Sequence, residues 1–211
     1  DITDFNVVAF IKTEMRTMLH EEIARACLVG DGRQVADEDR INPEHIIPIY
    51  KDSNVYSVQV KVDVEHGAPP NDKAKAFIDA CVRARKQYKG SGNPVAYMTE
   101  DMLTECLLLE DGIGHKLYKT EAEVATAIRA SRIVVVPVMD NLTDTTNGDL
   151  AAIIVNPTDY TIGSDKGGEV NMFDDFDIDY NQCKYLMETR ISGALTKPYS
   201  ALVISIKEAA A

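Results

Sequence analysis

Apolar residues recur at steps of three and four over residues 4–29, with charged residues mostly between them. This spacing predicts one long helix with an apolar face. Thr3 or Asp4 can cap the first turn, and Gly30 can provide the left-handed residue at which the helix ends. At a rise of 1.5 Å per residue the helix would be about 40 Å long, well above the average length. We therefore expect a helix that forms the rigid support of the molecule.

Strict alternation replaces this pattern in the C-terminal part of the chain, where it predicts β-strands. Residues 176–206 form long strands in this interpretation, with a single break at residues 196–198. One face would carry Tyr185, Met187, Thr189, Ile191 and Leu195, and the other Lys184, Leu186, Glu188, Arg190 and Ser192. Ribbons of this length are unusual in a compact enzyme and suit a protein that associates with copies of itself.

The middle of the chain mixes short strands with helices. Apolar runs predict strands over residues 55–64, 94–98, 132–138 and 150–155. Helices are expected after the break at residues 69–71, after Thr99, and after the capping box from Thr120 to Glu123. Polar loops at residues 140–149 and 163–168 separate the later strands. The mixture predicts an α+β fold rather than a doubly wound sheet.

The composition and charge of the chain argue against some classes of protein. The 211 residues include 22 Lys and Arg against 34 Asp and Glu, and the net charge of −12 argues against a protein that wraps nucleic acid. No apolar run approaches the roughly 18 residues of a membrane span, and no signal peptide is recognisable. The four cysteines lie far apart without a Cys-x-x-Cys pair, at Cys27, Cys81, Cys106 and Cys183. We therefore expect a reduced, cytosolic protein.

A calcium loop is the strongest candidate for metal chemistry. The residues at positions one, three, five and twelve of the loop pattern are Asp177, Asp179, Asn181 and Glu188. Position six, where the sharp turn needs glycine, is Gln182, and the alternation through this segment favours a strand. The acidic stretch 174–179 leaves a divalent-metal site as the main alternative interpretation.

Other motifs are incomplete. His20 and Glu21 begin a zinc-binding helix motif, but Ala24 stands where the second histidine is required. Residues 163–168 contain glycines and a lysine but lack the Gly-Lys-Ser/Thr ending of phosphate loops. The other histidines are isolated and expected at the surface, at His45, His66 and His115. We assign no catalytic residue, no cofactor-binding residue and no metal ligand, and we expect a protein that is not an enzyme.

Glu188 and Arg190 are neighbours of opposite charge on one predicted strand face. At an interface between subunits they can pair and fix the register of the two chains. Within one subunit they are either an exposed pair that contributes little or a buried pair with a high desolvation cost. The pattern leaves these alternatives open.

Four short motifs resemble the major capsid proteins of tailed bacteriophages, the Hong Kong 97-type fold. They are Leu28–Gly32 at the end of the long helix, Ile154–Pro157, Glu188–Arg190, and Pro198 before an apolar closing strand. Their order agrees with that family over nearly all 211 residues. The resemblance implies a structural protein that self-assembles as hexamers and pentamers into an icosahedral shell. Such a shell encloses phage DNA without sequence-specific binding.

The resemblance also implies two domains. Residues 1–65 and 170–197 would form a peripheral domain with the spine helix and long strands. Residues 66–169 and 198–211 would form an axial domain, with a mixed sheet and helices, near the symmetry axes. Scaffolding and portal proteins would be further partners, and no cofactor is implied. The protein would reside in the virion after assembly in the cytoplasm of a bacterial host.

The chain departs from that family at its N-terminus. It begins at Asp1 without an initiator methionine, so we expect a fragment or a processed product. In that family an arm and an extended loop precede the spine helix, and we expect this chain to lack both, together with the cross-linking lysine that some relatives carry on that loop. We therefore expect the chain alone to form a monomer or small oligomer. The alternatives are a small metal-binding α+β enzyme or ligand-binding domain, and a non-viral encapsulating shell protein of the same fold.

Overall fold

The computed structural model describes residues 4–38, 40–140, 142–144, 146–165 and 170–209. The chain divides into two compact units, each assembled from distant parts of the sequence. We call Asp1–Pro48 with Ile162–Ala194 the helix–hairpin unit, and Ile49–Thr161 with Leu195–Ala211 the sheet unit. Residues 49–65 lie in the sheet unit, although the resemblance assigns them to the peripheral domain. The assignment of either unit to a position in a shell stays a prediction.

Helices and strands alternate irregularly along the chain. The helices are α1 (Asp4–Leu28), α2 (Pro70–Ala84), α3 (Glu100–Leu108) and α4 (Glu121–Ala127), with 3-10 turns at Ile49–Lys51, Pro137–Met139 and Pro157–Asp159. The strands are β1 (Ser57–Val64), β2 (Val95–Met98), β3 (Ile133–Val135), β4 (Thr143–Asp144), β5 (Gly148–Val155), β6 (Tyr160–Ser164), β7 (Asn171–Asp177), β8 (Gln182–Glu188), β9 (Ile191–Leu195) and β10 (Ala201–Glu208). This composition confirms the α+β class. No helix in the described ranges is both long and apolar enough to cross a membrane.

Helix α1 confirms the predicted long helix, with 25 residues. The backbone N–H groups of Val29 and Gly30 both donate to the carbonyl oxygen of Arg25, at 2.9 and 3.1 Å, and Gly30 has a φ of 98°. Glycine adopts this left-handed conformation without steric strain, so the helix ends at the predicted position. Thr3, one of the two predicted caps, lies outside the described residues.

Helix α1 is covered only along a narrow stripe. Val8, Met15 and Leu19 are half-buried along this stripe. Ile11 and Met18, which the apolar pattern places on the same face, are 37% and 65% exposed. At 100° per residue they lie on the flank of the helix, to one side of the stripe. The apolar face of α1 is therefore wider than the surface that covers it in the described part of the chain.

The single break predicted for residues 176–206 is wrong. The structure interrupts this segment at the turn 178–181, at the link 189–190 and again at residues 196–200. Asn181 in the first turn has a φ of 50°, a left-handed conformation that asparagine tolerates better than most residues. Apolar and polar residues continue to alternate through this turn, so the pattern alone does not reveal it.

A six-stranded mixed sheet forms the centre of the sheet unit, in the order β1-β10-β5-β2-β3 with β4 paired to β5. Strand β1 is parallel to β10 and β2 is parallel to β3, whereas β5 is antiparallel to both β10 and β2. The last strand of the chain thus lies inside the sheet, beside a strand from the first third of the sequence. This pairing is the reason that residues 57–64 belong to the sheet unit.

Helices α2, α3 and α4 cover one face of this sheet. Alternate strand residues point to the helices, namely Val62, Val64, Ala96, Met98, Ala152, Ile154, Leu202 and Ile204. Phe77 of α2 and Leu103 of α3 pack in the same cluster. The central strands are buried on the other face as well, since Ile153 and Val203 are inaccessible to solvent. The apolar core of the molecule therefore lies in this unit.

The predicted caps of α3 and α4 are confirmed. The hydroxyl oxygen of Thr99 accepts a hydrogen bond from the N–H of Met102, and that of Thr120 accepts one from the N–H of Glu123, both at 3.4 Å. The Glu123 carboxylate accepts from the N–H of Lys119. Each cap satisfies a backbone donor that has no partner within its helix.

Candidate functional site

The structure separates the residues of the calcium-loop pattern. Asp177 ends β7, and Asp179 and Asn181 lie in the turn that follows. Glu188 pairs with Asn171 at the opposite end of the two strands. Six residue steps along a strand span about 20 Å, so Glu188 cannot reach an ion held by the turn. No group of three or more His, Cys, Asp or Glu side chains in the described ranges could hold a metal ion.

The other candidates for chemistry lie apart from one another. All four histidines are exposed, as predicted. Residues 163–164 of the glycine-containing loop 163–168 belong to the end of β6, and residues 166–168 lie outside the described residues. No disulfide joins any of the four cysteines, all of which lie in the described part of the chain. Burial between α2 and α3 raises the pKa of the Cys106 thiol to about 12 and that of Cys81 further. A thiol in this state is not a nucleophile at neutral pH.

Strands β7 and β8 form a two-stranded antiparallel hairpin, residues 171–188, which we call the hairpin. Its inner face meets helix α1. The Lys12 Nζ atom lies 3.9 Å from the Asp174 carboxylate and 5.5 Å from the centre of the Tyr185 ring. Met172 and Met187 oppose each other on the same face and are half-buried. Because these contacts lie on the inner face, the outer face of the hairpin is the one that remains accessible.

The outer face of the hairpin carries an exposed apolar pair. Phe173 and Leu186 are direct cross-strand partners and are 52% and 57% exposed. Ile178 and Tyr180 add further exposed apolar surface at the turn. An isolated two-stranded hairpin is marginally stable in water, and clustered exposed apolar side chains mark contacts with other proteins. The outer face is therefore the candidate interaction surface of the helix–hairpin unit.

The predicted pairing of Glu188 and Arg190 changes in the structure. Glu188 is the last residue of β8, whereas Arg190 lies in the two-residue link before β9. No ion pair joins them to each other within the residues that the structure describes. Their pairing across subunits stays a prediction.

A buried carboxylate that the sequence analysis missed joins three segments of the sheet unit. Asp159 is 1% exposed and accepts hydrogen bonds from the N–H and the hydroxyl of Ser91, both at 2.6 Å. Its carboxylate lies 3.2 Å from Lys197 Nζ. Its carbonyl oxygen accepts from the N–H and the hydroxyl of Thr196. Asp159 thus fastens the loop at residue 91 and the link at residues 196–197 to the turn that follows β5.

Opposing effects act on the pKa of Asp159. Burial raises the pKa of this carboxyl, but hydrogen bonds from Ser91 and the charge of Lys197 outweigh it and hold the pKa below the ordinary value. The group is therefore ionised at neutral pH. The available sequence signal was the turn Asn156–Pro157, where the Asn156 side-chain oxygen accepts from the N–H of Thr158 at 3.2 Å.

Replacing Asp159 with asparagine should lower the free energy of unfolding at pH 7 by roughly 2 kcal/mol, since hydrogen bonds to a charged acceptor are lost. Because the folded-state pKa is depressed, the stabilisation is present above about pH 4 and is lost as pH falls through the folded value. Urea unfolding between pH 3 and pH 7 measures both effects, with the exposed Asp79→Asn as control. Equal stability of Asp159→Asn and Asp79→Asn at pH 7 would contradict this role.

Several solved structures share this fold. A capsid chain of an empty GTA (gene transfer agent) particle is 13% identical, with a TM-score of 0.63, and the match covers 98% of this chain and 68% of that one. A chain from Gordonia phage Cozz is 14% identical, with a TM-score of 0.58, over 95% of this chain and 64% of that one. The chain has the phage capsid fold.

This phage capsid fold also occurs in a phage-related protein from Bordetella bronchiseptica RB50, at 15% identity and a TM-score of 0.54, over 97% of this chain and 68% of that one. No protein-family model matches the sequence, and no curated protein does. At such identities the similarity is one of fold. The fold expected from the four short motifs is confirmed, and the chain spans about two thirds of the length of these relatives.

Proposed function

We propose that this protein is the major capsid protein of a phage or phage-derived particle. The observation that carries the proposal is the match of nearly the whole chain to a capsid chain. Copies would associate into hexamers and pentamers of an icosahedral shell in the host cytoplasm. The shell would enclose DNA without reading its sequence, and scaffolding and portal proteins would be the further partners.

The architecture supports a shell function physically. We assign the helix–hairpin unit to the peripheral domain and the sheet unit to the axial domain. A shell requires each copy to make several contacts at once, and individually modest contacts then add up to a stable assembly. The uncovered flank of α1 and the outer face of the hairpin are surfaces for such contacts. The net charge of −12 also limits nonspecific adhesion to the enclosed DNA.

Replacing Leu186 with aspartate should reduce the yield of assembled particles about tenfold or more, because a charge would be desolvated at a contact repeated in every copy. The complete gene that encodes this chain would be expressed in bacteria, and particles would be separated from free protein by sedimentation velocity. Val35→Asp is the matched control, since Val35 is also exposed and apolar but lies outside the hairpin. Equal particle yields for the two variants would exclude the hairpin as an assembly surface.

The function itself is tested by the unmodified protein in the same experiment. A capsid protein should give a fast, uniform boundary of megadalton particles. Protein that remains monomeric, with or without co-expressed neighbouring phage genes, would contradict the proposal.

A further inference from the structure

The end of helix α2 carries an unusual concentration of positive charge. Four cations occur within seven residues without an acidic residue between them, and we call them the basic patch: Arg83, Arg85, Lys86 and Lys89. The other 18 Lys and Arg residues share the chain with 34 acidic residues. The basic patch is therefore a local reversal of the charge of the whole molecule.

Aromatic rings hold two of these cations in place. The guanidinium of Arg85 lies 4.2 Å from the centre of the Tyr88 ring, and the Lys89 ammonium lies 5.0 Å from that of Tyr199. The backbone N–H of Lys89 also donates to the carbonyl oxygen of Tyr199 at 2.8 Å. Cations stacked on rings lose side-chain freedom in advance, which lowers the entropic cost of binding a partner.

The basic patch is not neutralised within the described part of the chain. None of its four side chains lies within ion-pair distance of a carboxylate there. One Nη atom of Arg85 is buried and meets no acceptor among the described residues. A favourable interaction with the helix dipole accounts for Arg83 in the last turn, but Lys86 and Lys89 lie beyond the end of α2. Among the described residues, therefore, no carboxylate forms an ion pair with the patch.

The hairpin supplies a surface of opposite charge. Residues 174–179 contain four aspartates, of which Asp174 pairs with Lys12 and Asp177 with Lys184. Asp175 and Asp179 take part in no ion pair among the described residues. These two carboxylates accompany the exposed apolar surface of the hairpin. Among the described residues, the sheet unit thus presents four cations without ion pairs, and the hairpin presents two carboxylates without ion pairs, of which Asp175 lies opposite Lys184 across the strands.

We propose that the basic patch of one copy binds the acidic hairpin of a second copy. This inference rests on the proposed shell function and identifies one contact that would build the shell. Because the two surfaces differ, the contact is head-to-tail, and repeated contacts of this kind close into rings when the rotation permits. Long-range attraction would also orient the copies as they meet. DNA is the less favoured partner, because four cations on a strongly acidic chain provide a weak electrostatic drive.

Charge reversal on each side tests this contact in protein expressed from the complete gene. Arg83→Glu with Lys86→Glu reverses the patch, and Asp175→Lys with Asp179→Lys reverses the hairpin. Each pair alone should lower the particle yield about tenfold, and all four changes together should restore most of it, because the charges are again complementary. Lys51→Glu with Lys75→Glu is the control, since it changes the net charge equally at two exposed positions outside the patch. Thermal melting checks that every variant is folded.

The possible outcomes distinguish failure of the proposed contact from failure of the proposed shell function. Unmodified protein that forms particles, together with reversed variants that form them equally well, overturns the contact but leaves the shell function intact. The contact is also overturned if the patch variant and the hairpin variant both lose particle yield and the variant with all four changes does not recover it. Normal particle yield with loss of packaged DNA in the patch variant identifies DNA as the partner instead. Unmodified protein without particles overturns the shell function and this contact with it.

Discussion

Replacing Gly148 with alanine is expected to lower the free energy of unfolding by about 3 kcal/mol or more. Gly148 begins β5 with a φ of 89°. A Cβ atom there would lie 2.2 Å from the carbonyl oxygen of Ile206 and 2.7 Å from the Cα atom of Lys207. Both are backbone atoms of β10, so no flexible side chain can move aside. Relief would require β5 and β10 to separate at the end of their pairing.

Gly114 provides the matched control for this substitution. Its φ of 88° is nearly the same, but no atom lies within 4 Å of its would-be Cβ. Gly114→Ala should therefore cost only the backbone strain, about 1 kcal/mol. Urea unfolding followed by circular dichroism measures both variants. If the two variants lose the same stability, the close approach of β10 to Gly148 is not present in solution.

Replacing Phe77 with alanine should destabilise the protein by about 3–5 kcal/mol. Phe77 is inaccessible to solvent and belongs to the cluster between α2 and the sheet. Its removal leaves a cavity between a helix and strands that cannot collapse without breaking other contacts. The loss of stability has two parts: the hydrophobic free energy gained by burying the ring, and the cost of the cavity that the ring leaves behind. The same urea experiment measures this value.

Val82→Ala on the same helix is the control for Phe77→Ala. Val82 is 39% exposed, so its truncation should cost less than about 1 kcal/mol. A similar loss at both positions would show that α2 does not pack against the sheet through the face that carries Phe77. A large loss at Phe77 alone supports the core that this architecture requires.

The helices were predictable because their signals are local. The apolar period and the glycine stop define α1 to within one or two residues of its bounds at Asp4 and Leu28. The caps at Thr99 and Thr120 depend on residues three positions apart. Local signals of this kind act before any tertiary contact forms, so they can be read from the sequence alone.

The strand pairings were not predictable because their partners are distant in sequence. Nothing near Ala201 indicates that it pairs with both Ser57 and Val155. The alternation of apolar and polar residues predicts a strand and its two faces but not the strand that pairs with it. The same alternation continues through the turn at Asn181, so it does not reveal the turn either. The unit boundary at residue 49 follows from the pairing of β1 with β10, which no local signal indicates.

The sequence pattern predicts only part of the candidate surfaces. The pattern correctly placed Leu186 on one face and Tyr185 on the other, but it could not show that α1 covers only the Tyr185 side. Asp159 was missed because its partners Ser91 and Lys197 are far away in sequence. A single aspartate in a turn has many ordinary roles, and only the tertiary structure reveals that this one is buried.

Whether this protein builds a shell can be seen by electron cryomicroscopy of particles from bacteria that express the complete gene. A major capsid protein should give a closed icosahedral shell whose repeating density fits α1, the hairpin and the six-stranded sheet of this chain. A protein that is abundant and folded but forms no shell, or a shell whose density does not fit this chain, would contradict this function.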